Sequence, residues 1–403
     1  MKQARLLIYS HDTFGLGHLR RSRTIAHSLV DYFENLSILI VSGSPVIGSY
    51  SFHPRVDFVR IPGVVKLDSG KYSSLNPGIE FDELISMRSS LLLQSAESFK
   101  PDVFLVDKEP LGLRGEVQDT LSMLKARGAS LVLGLRDVMD DPEKLAEEWQ
   151  RKNVMPALED LYDHIWVYGL SELFNPLDGI PIHPSVTAKI NYTGYLRRTS
   201  ESSSMNQHTP DMVGEDPYIL VTTGGGGDGA QLVDWVLRAY EDDPDISYPA
   251  KIVFGPFMNI NQQLAFMDRV NRLEKVSATT FVANIENLFE NAIGVVSMGG
   301  YNIFCELLSF DKRGLILPRT VPRMEQYIRA SGAEKLGLIK MLMLDDALDA
   351  TKMADALRAL PHQPKPSEVH IPGLLGGLPV INTMMEQYLG YQSSRQARLA
   401  VVS

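Results

Sequence analysis

The stretch Tyr218-Ile219-Leu220-Val221-Thr222-Thr223-Gly224-Gly225-Gly226-Gly227-Asp228-Gly229-Ala230 decides how this chain is read. Its first five residues have the apolar, β-branched and aromatic content of a buried strand. Beyond it, Leu232, Val233, Val236, Leu237 and Tyr240 recur at helical spacing on one face. The glycines therefore occupy a turn between the carboxyl end of a strand and the amino end of a helix. Unpaired N–H groups and the helix dipole make such a turn attractive to phosphate. Glycine also allows close backbone approach. A bare turn needs no run of four glycines, whose ordering costs entropy, so phosphate binding is the favoured reading. No Gly-Lys-Ser/Thr follows, which excludes a P-loop.

The same strand–glycine loop–helix pattern opens the chain. Residues 5–10 read as a strand, 11–21 as a loop with Gly15 and Gly17, and 24–33 as a helix. Further strands are expected over 37–41, 56–61, 102–106, 130–135, 165–168 and 190–193, with helices over 81–98, 115–127 and 142–161, the last broken at Pro156. In the second half the pattern restarts, with strands over 218–222, 250–254, 279–282, 294–297, 314–317 and 338–340. Strands alternating with helices predict parallel sheets covered on both faces. The polar, serine-rich stretch 199–216 reads as a linker between an amino-terminal domain, 1–198, and a second domain, 217–375. A proline-rich loop over 361–372 precedes a closing helix over 380–392, and 376–403 forms a terminal helix and tail.

The length of 403 residues fits two domains. A formal net charge of −10 argues against general nucleic-acid binding. The one cysteine, Cys305, excludes an internal disulfide and fits a reducing compartment. No apolar run approaches the roughly 18–20 residues that span a bilayer, and the first apolar run is too short for a signal peptide. A soluble cytoplasmic protein is expected. The face of 81–98 carrying Leu84, Ile85, Met87, Leu91 and Leu92 is assigned to the core, with peripheral membrane contact as the alternative.

The first loop, Gly15-Leu16-Gly17-His18-Leu19-Arg20-Arg21, fails as a dinucleotide fingerprint. Arg20 stands at the third glycine position, and no acid ends the second strand. His18 instead lies in the loop after the first strand, on the sheet edge where α/β proteins bind ligands. A histidine there can act as general base. Its plainer role is to bond a loop carbonyl or cap the helix. Arg20, Arg21 and Arg23 either attract an anion or are solvated. Asp107, Arg136 and Asp137 each follow an apolar strand. A carboxylate there can orient His18 or bind an acceptor hydroxyl, although capping the next helix is the simpler role for either one alone.

In the second half, Val295-Val296-Ser297-Met298-Gly299-Gly300-Tyr301-Asn302 runs from a strand into a second glycine turn and a helix. Glu306, about one turn into that helix, can accept bonds from both hydroxyls of a ribose. It can equally be a favourable charge near a helix start. Glu325 and Gln326 follow another strand and can bond sugar hydroxyls. No His/Cys/Asp cluster has metal-ligand spacing.

Together, Phe281-Val282-Ala283-Asn284-Ile285-Glu286-Asn287-Leu288-Phe289, Val296 to Glu306, Leu317-Pro318, Glu325-Gln326 and Arg329-Ala330 resemble the carboxyl-terminal domain of glycosyltransferase family 28. The type member of that family is the N-acetylglucosaminyltransferase of peptidoglycan lipid synthesis. The resemblance covers about 220–340. It is weaker in the first half, where it rests on Gly15 to His18. It implies a GT-B architecture: an α/β protein of two Rossmann-like, doubly wound domains facing across a cleft. The second domain would bind a sugar nucleotide, usually UDP-linked, and the first an acceptor. Residue by residue, Gly224, Gly225, Gly226 and Gly227 match the first diphosphate loop, and Gly299 and Gly300 the second, with Asn302 beside it. Glu306 matches the ribose acid, Val282 the position whose backbone faces the base, and Glu325 and Gln326 the donor-sugar contacts. His18 matches the proposed base, on an acceptor side that also includes Gly17, Asp107, Arg136 and Asp137. Arg198, in Thr193-Gly194-Tyr195-Leu196-Arg197-Arg198, matches an arginine that touches the diphosphate, in a segment whose proline is here Leu196.

The chain departs from the pattern at Gly226-Gly227-Asp228, where the family usually has Ser-Gln after two glycines. Asp228 would repel a diphosphate unless it turns away or caps the helix. The function implied is an inverting, metal-independent glycosyltransferase that uses a nucleotide sugar as substrate and no cofactor. Its acceptor would be a sugar, a lipid-linked molecule or a small molecule, in envelope or polysaccharide synthesis. The alternatives are a sugar-nucleotide hydrolase of the same fold and a non-catalytic nucleotide-sugar-binding protein.

Overall fold

A computed structural model describes residues 3–12, 17–66, 72–200, 216–282, 285–344 and 347–390. Gly15, most of the 199–216 linker and the end of the expected closing helix beyond 390 lie outside the described residues. The chain divides into two compact units, Met1–Leu196 with Gly373–Ser403, and Arg197–Pro372. The segment after 373 thus returns to the first unit, a placement with no signal in the sequence.

The first unit holds a seven-stranded sheet ordered β3-β2-β1-β6-β7-β8-β9, every pair parallel. Its strands are β1 (Ala4–Ser10), β2 (Leu36–Ser42), β3 (Val56–Arg60), β6 (Val103–Asp107), β7 (Ser130–Arg136), β8 (His164–Tyr168) and β9 (Ile190–Tyr192). A small antiparallel hairpin, β4 (Val64–Lys66) with β5 (Tyr72–Ser74), has no forerunner in the sequence reading. The helices are α1 (Gly17–Tyr32), α2 (Phe81–Phe99), α3 (Gln118–Ala126), α4 (Pro142–Arg151) and the short α5 (Pro184–Thr187). Leu7, Phe104, Val106, Leu131 and Leu133 on the central strands pack against Leu92, Leu121 and Trp149 from α2, α3 and α4. Strands buried on both faces explain the continuous apolar runs.

The second unit holds a six-stranded parallel sheet ordered β12-β11-β10-β13-β14-β15. Its strands are β10 (Tyr218–Thr222), β11 (Ala250–Val253), β12 (Val276–Thr279), β13 (Ala292–Ser297), β14 (Arg313–Ile316) and β15 (Lys340–Met341). Its helices are α6 (Ala230–Asp242), α7 (Ile260–Val270), α8 (Glu286–Asn291), α9 (Tyr301–Ser309), α10 (Glu325–Lys335) and α11 (Ala350–Ala359). In the first unit the last described helix is α12 (Gly377–Tyr388). Among the described residues no helix is long and apolar enough to cross a membrane.

Three boundaries differ from expectation, each for a local reason. The loop expected to run to Arg21 gives way at Gly17 to α1, because the Asp12 carboxylate accepts from the Leu19 N–H at 3.0 Å and Leu19 is buried. The strand expected over 279–282 ends at Thr279, because Ala250 pairs with Val276 and Val253 with Thr279. The helix expected over 142–161 with a break at Pro156 is broken slightly earlier: α4 ends at Arg151, Asn153 takes a left-handed φ of 51°, and a π-helical turn over Ala157–Leu161 follows Pro156.

Both sheets change winding direction at their first strand. In the first unit the change falls between β1 and β6, in the second between β10 and β13. Ligands of open α/β sheets bind at the carboxyl edge of such a point.

Candidate functional site

In the first unit the switch point gathers a cluster of polar side chains. Asp107 is the last residue of β6, and His18 lies in the first turn of α1. His18 Nδ1 lies 2.5 Å from Asp107 Oδ2. Arg21, one turn further along α1, donates to both carboxylate oxygens, through Nε at 2.8 Å and Nη2 at 2.7 Å. Its guanidinium also faces the Tyr168 ring at 5.8 Å. Arg21 is only 2% exposed, so it is neither solvated nor a general anion trap: it is committed to Asp107. Asp107 therefore serves His18 and Arg21. Arg23 bonds the Ser51 carbonyl and lies over Tyr50 and Phe52.

Burial sets the proton affinities here. It lowers the His18 imidazole to about 4, with Asp107 pulling the other way and Arg21 adding to the depression. Burial alone would raise Asp107, but the charges of Arg21 and His18 outweigh it and hold the carboxyl well below the usual range. A hydrogen on Nδ1 directed at an ionised Asp107 leaves Nε2 as the basic nitrogen of a neutral imidazole. Around this pair, His11 meets His18 edge to face at 5.7 Å and bonds Tyr9 Oη through Nδ1 at 3.0 Å. Burial drives Asp12 up to about 6 despite its bond from Ser42.

Gly17 opens α1 and Arg136 ends β7 at the same sheet edge. Asp137 caps no helix. It accepts from the Val138 N–H at 2.8 Å and from Tyr195 Oη at 2.8 Å, and so secures the end of the first unit's last strand segment.

In the second unit, β10 and β13 are adjacent, with Thr222 paired to Ser297. The two glycine turns therefore start side by side. Each is closed the same way: the Gly224 N–H bonds Thr222 Oγ1, and the Gly299 N–H bonds Ser297 Oγ, both at 3.3 Å. The glycines have different reasons to be glycine. Gly226, at φ 94°, would put a Cβ 2.5 Å from the Phe254 carbonyl, so packing against the loop after β11 requires it. A Cβ on Gly300, whose φ is −59°, would meet nothing within 4 Å. Gly224 faces equally open space but has a positive φ of 72°. Gly225 accepts from the Phe257 N–H, and Gly227 is exposed at the rim.

Arg198 Nη2 donates to Asn302 Oδ1 at 2.8 Å on the first turn of α9, which puts a buried guanidinium beside the second glycine turn. Arg329 Nη1 bonds the Gly299 carbonyl at 3.0 Å and stiffens that turn from behind. Glu306 on α9 is 0% exposed. Val282 is buried just beyond the end of β12. Glu325 and Gln326 are the first two residues of α10, and both are buried.

The sequence reading missed Arg319, which lies three residues beyond β14. It donates to Asp228 Oδ2 at 2.7 Å and to Glu325 Oε1 at 3.3 Å, and its backbone N–H bonds Gln326 Oε1 at 3.1 Å. The signal present was the unbalanced Asp228, which called for a cation nearby. Nothing in the spacing said which of the arginines would supply it. Among the described residues no group of three or more His, Cys, Asp or Glu could hold a metal ion.

No protein-family model and no curated protein matches the chain. Solved structures match it over nearly its whole length. The calicheamicin glycosyltransferase CalG4 aligns with a TM-score of 0.61 at 15% identity, covering 98% of this chain and 100% of that one. UGT2 of Phytolacca americana, solved with UDP-2-fluoro-glucose and pterostilbene, aligns with a TM-score of 0.59 at 12% identity, covering 95% and 94%. The UDP-GlcNAc 2-epimerase of Neisseria meningitidis, bound to UDP-GlcNAc, aligns with a TM-score of 0.60 at 15% identity, covering 96% and 100%. With two parallel-sheet, Rossmann-like units and this likeness across its length, the chain has the GT-B fold.

Proposed function

We propose that this protein is a glycosyltransferase of the family 28 type, moving a sugar from a UDP-linked donor to an acceptor hydroxyl with inversion and without a metal. The observation that carries the reading is the His18–Asp107 pair, a partly buried neutral imidazole held by an ionised carboxylate at a switch point. The side-by-side glycine turns of the second unit also support the reading, since each can offer backbone N–H groups to a diphosphate. His18 Nε2 would take the acceptor's proton while Asp107 fixes the ring's tautomer and steadies the imidazolium that forms. The acceptor oxygen would bond to the anomeric carbon from the face opposite the diphosphate. The bond from that carbon to the diphosphate oxygen breaks as the configuration inverts. N–H groups at the starts of α6 and α9, with Arg198, would receive the negative charge building on the leaving group. Glu306 would hold the ribose, and Glu325 and Gln326 the donor sugar. The reading carries with it a cytoplasmic setting and an acceptor that is a sugar, a lipid-linked molecule or a small molecule.

A thermal-shift panel of nucleotides and nucleotide sugars tests this. Stabilisation selective for UDP and its sugars is expected. No response to any nucleotide overturns it.

The likeness to an epimerase bound to UDP-GlcNAc favours one second reading, in which the protein transforms a sugar nucleotide without an acceptor. Incubation with a UDP-sugar alone separates the two. Free sugar released at enzymatic rates, or an altered sugar nucleotide, supports the second reading. A strict requirement for acceptor supports the first.

A further inference from the structure

Asp228 stands in a turn that the reading above gives to a diphosphate, where like charge would meet like charge. Its carboxylate is bound by Nη1 of Arg319 at 2.7 Å. The same guanidinium reaches Glu325 through Nη2 at 3.3 Å, and the Arg319 backbone N–H bonds the Gln326 side chain at 3.1 Å. One residue thus ties the turn after β10 to the acid and amide that open α10. The planar, permanently charged fork of arginine suits this bridge, and a lysine's single ammonium does not. The side chains are 22% exposed for Arg319 and 47% for Asp228, so the pair lies at the rim of the turn rather than in the core.

We infer that Arg319 is a positioning residue of the donor site with two separable tasks. Its charge cancels Asp228, so that a diphosphate can settle at Gly224 and Gly225. Its fork and backbone N–H hold Glu325 and Gln326 in the orientation in which they meet the donor sugar. The inference rests on the donor-site reading, and it explains how a chain with aspartate in this turn can still take a diphosphate. Without Arg319, Asp228 would face the incoming phosphates without the cation that is set against it.

Calorimetric titration with UDP and with UDP-N-acetylglucosamine tests it on the full chain and on Arg319→Ala, Arg319→Lys, Asp228→Asn and the Asp228→Asn/Arg319→Ala pair. Arg319→Ala is expected to weaken UDP binding by about tenfold or more. The double variant should regain most of the UDP affinity, because the repelling charge is gone. Arg319→Lys should also keep UDP affinity. Neither should regain the extra affinity that the wild type shows for the UDP-sugar over UDP, because neither has the guanidinium fork that holds Glu325, although the backbone N–H to Gln326 remains in every variant. A purely structural role would not split the two ligands in this way. Unchanged binding by Arg319→Ala, or a double variant no better than Arg319→Ala, overturns the inference while leaving the donor site standing. A wild type that binds no nucleotide overturns both. Should Arg319→Ala fail to fold, Asp228→Asn alone decides: tighter UDP binding supports the inference, and unchanged or weaker binding overturns it.

Discussion

His18 Nδ1 and Asp107 Oδ2 lie 2.5 Å apart although 89 residues separate them in sequence. The switch between β1 and β6 brings them together: one follows the first strand, the other ends its new neighbour. Replacing Asp107 with Asn should keep the ring in place but lose the charge that fixes its tautomer. Turnover is expected to fall by about 10²-fold or more, with the KM for the nucleotide sugar little changed. An equal rise in KM would place Asp107 in donor binding instead.

His18→Ala should abolish most turnover, by about 10²–10⁴-fold, while UDP still binds in the thermal-shift assay. Unchanged turnover would remove His18 as the base.

The depressed basicity of His18 predicts an acid limb of kcat/KM near pH 4 rather than near 6.5, because the neutral imidazole persists to lower pH. The stability effect follows the same direction. His18 binds its proton less readily when folded, so between about 4 and 6.5 the unfolded chain takes up more protons. Its contribution is full above pH 6.5 and is lost as pH falls through about 4. Denaturant midpoints over that window should therefore slope less steeply in His18→Gln than in the wild type. An identical slope would contradict the burial of a neutral ring.

Gly300 and Gly226 make a matched pair. Gly300→Ala adds a methyl where nothing lies within 4 Å and the φ is ordinary, so the melting temperature should hold while donor affinity drops. Gly226→Ala forces a methyl against the Phe254 carbonyl at a positive φ, so it should destabilise the fold by roughly 1–3 kcal/mol. Unaltered donor affinity in Gly300→Ala would show that no ligand approaches that turn.

Arg88 and Glu116 form an ion pair with both side chains 0% exposed, which also takes the Tyr9 hydroxyl. Arg88→Met strands a buried carboxylate and should cost about 3–5 kcal/mol in denaturant unfolding. Adding Glu116→Leu should recover much of that loss. Equal stability of the single and double variants would show that the unpaired Glu116 carboxylate is not what destabilises Arg88→Met.

Much of this was legible in one dimension, because strands buried on both faces write themselves as apolar runs and glycine turns follow them. The runs at 218–222 and 294–297 become β10 and β13 almost unshifted. The glycines and His18 were visible for the same reason. What was not legible depended on pairing across the fold. Asp107 alone looked like a cap, since a carboxylate after a strand has no partner until the strand order is known. Arg319 could not be chosen from other arginines without knowing that the ends of β10 and β14 lie at one edge. The extent of α1 was hidden because its start depends on Asp12, seven residues before Leu19.

Helix α12 has a consequence for how the protein is made. Asn382 bonds Ser28 on α1, and Tyr388 stacks on His164 and takes the Trp166 indole N–H. On the ribosome, the first unit's sheet emerges long before these partners. At roughly 5–20 residues per second, about ten seconds or more separate Leu196 from Tyr388. During that interval the second unit can finish while the first waits, half-clothed, for α12. A stalled or clipped product lacking α12 would present that bare surface to chaperones and proteases, so the first unit's sheet stays incompletely covered until α12 has been made.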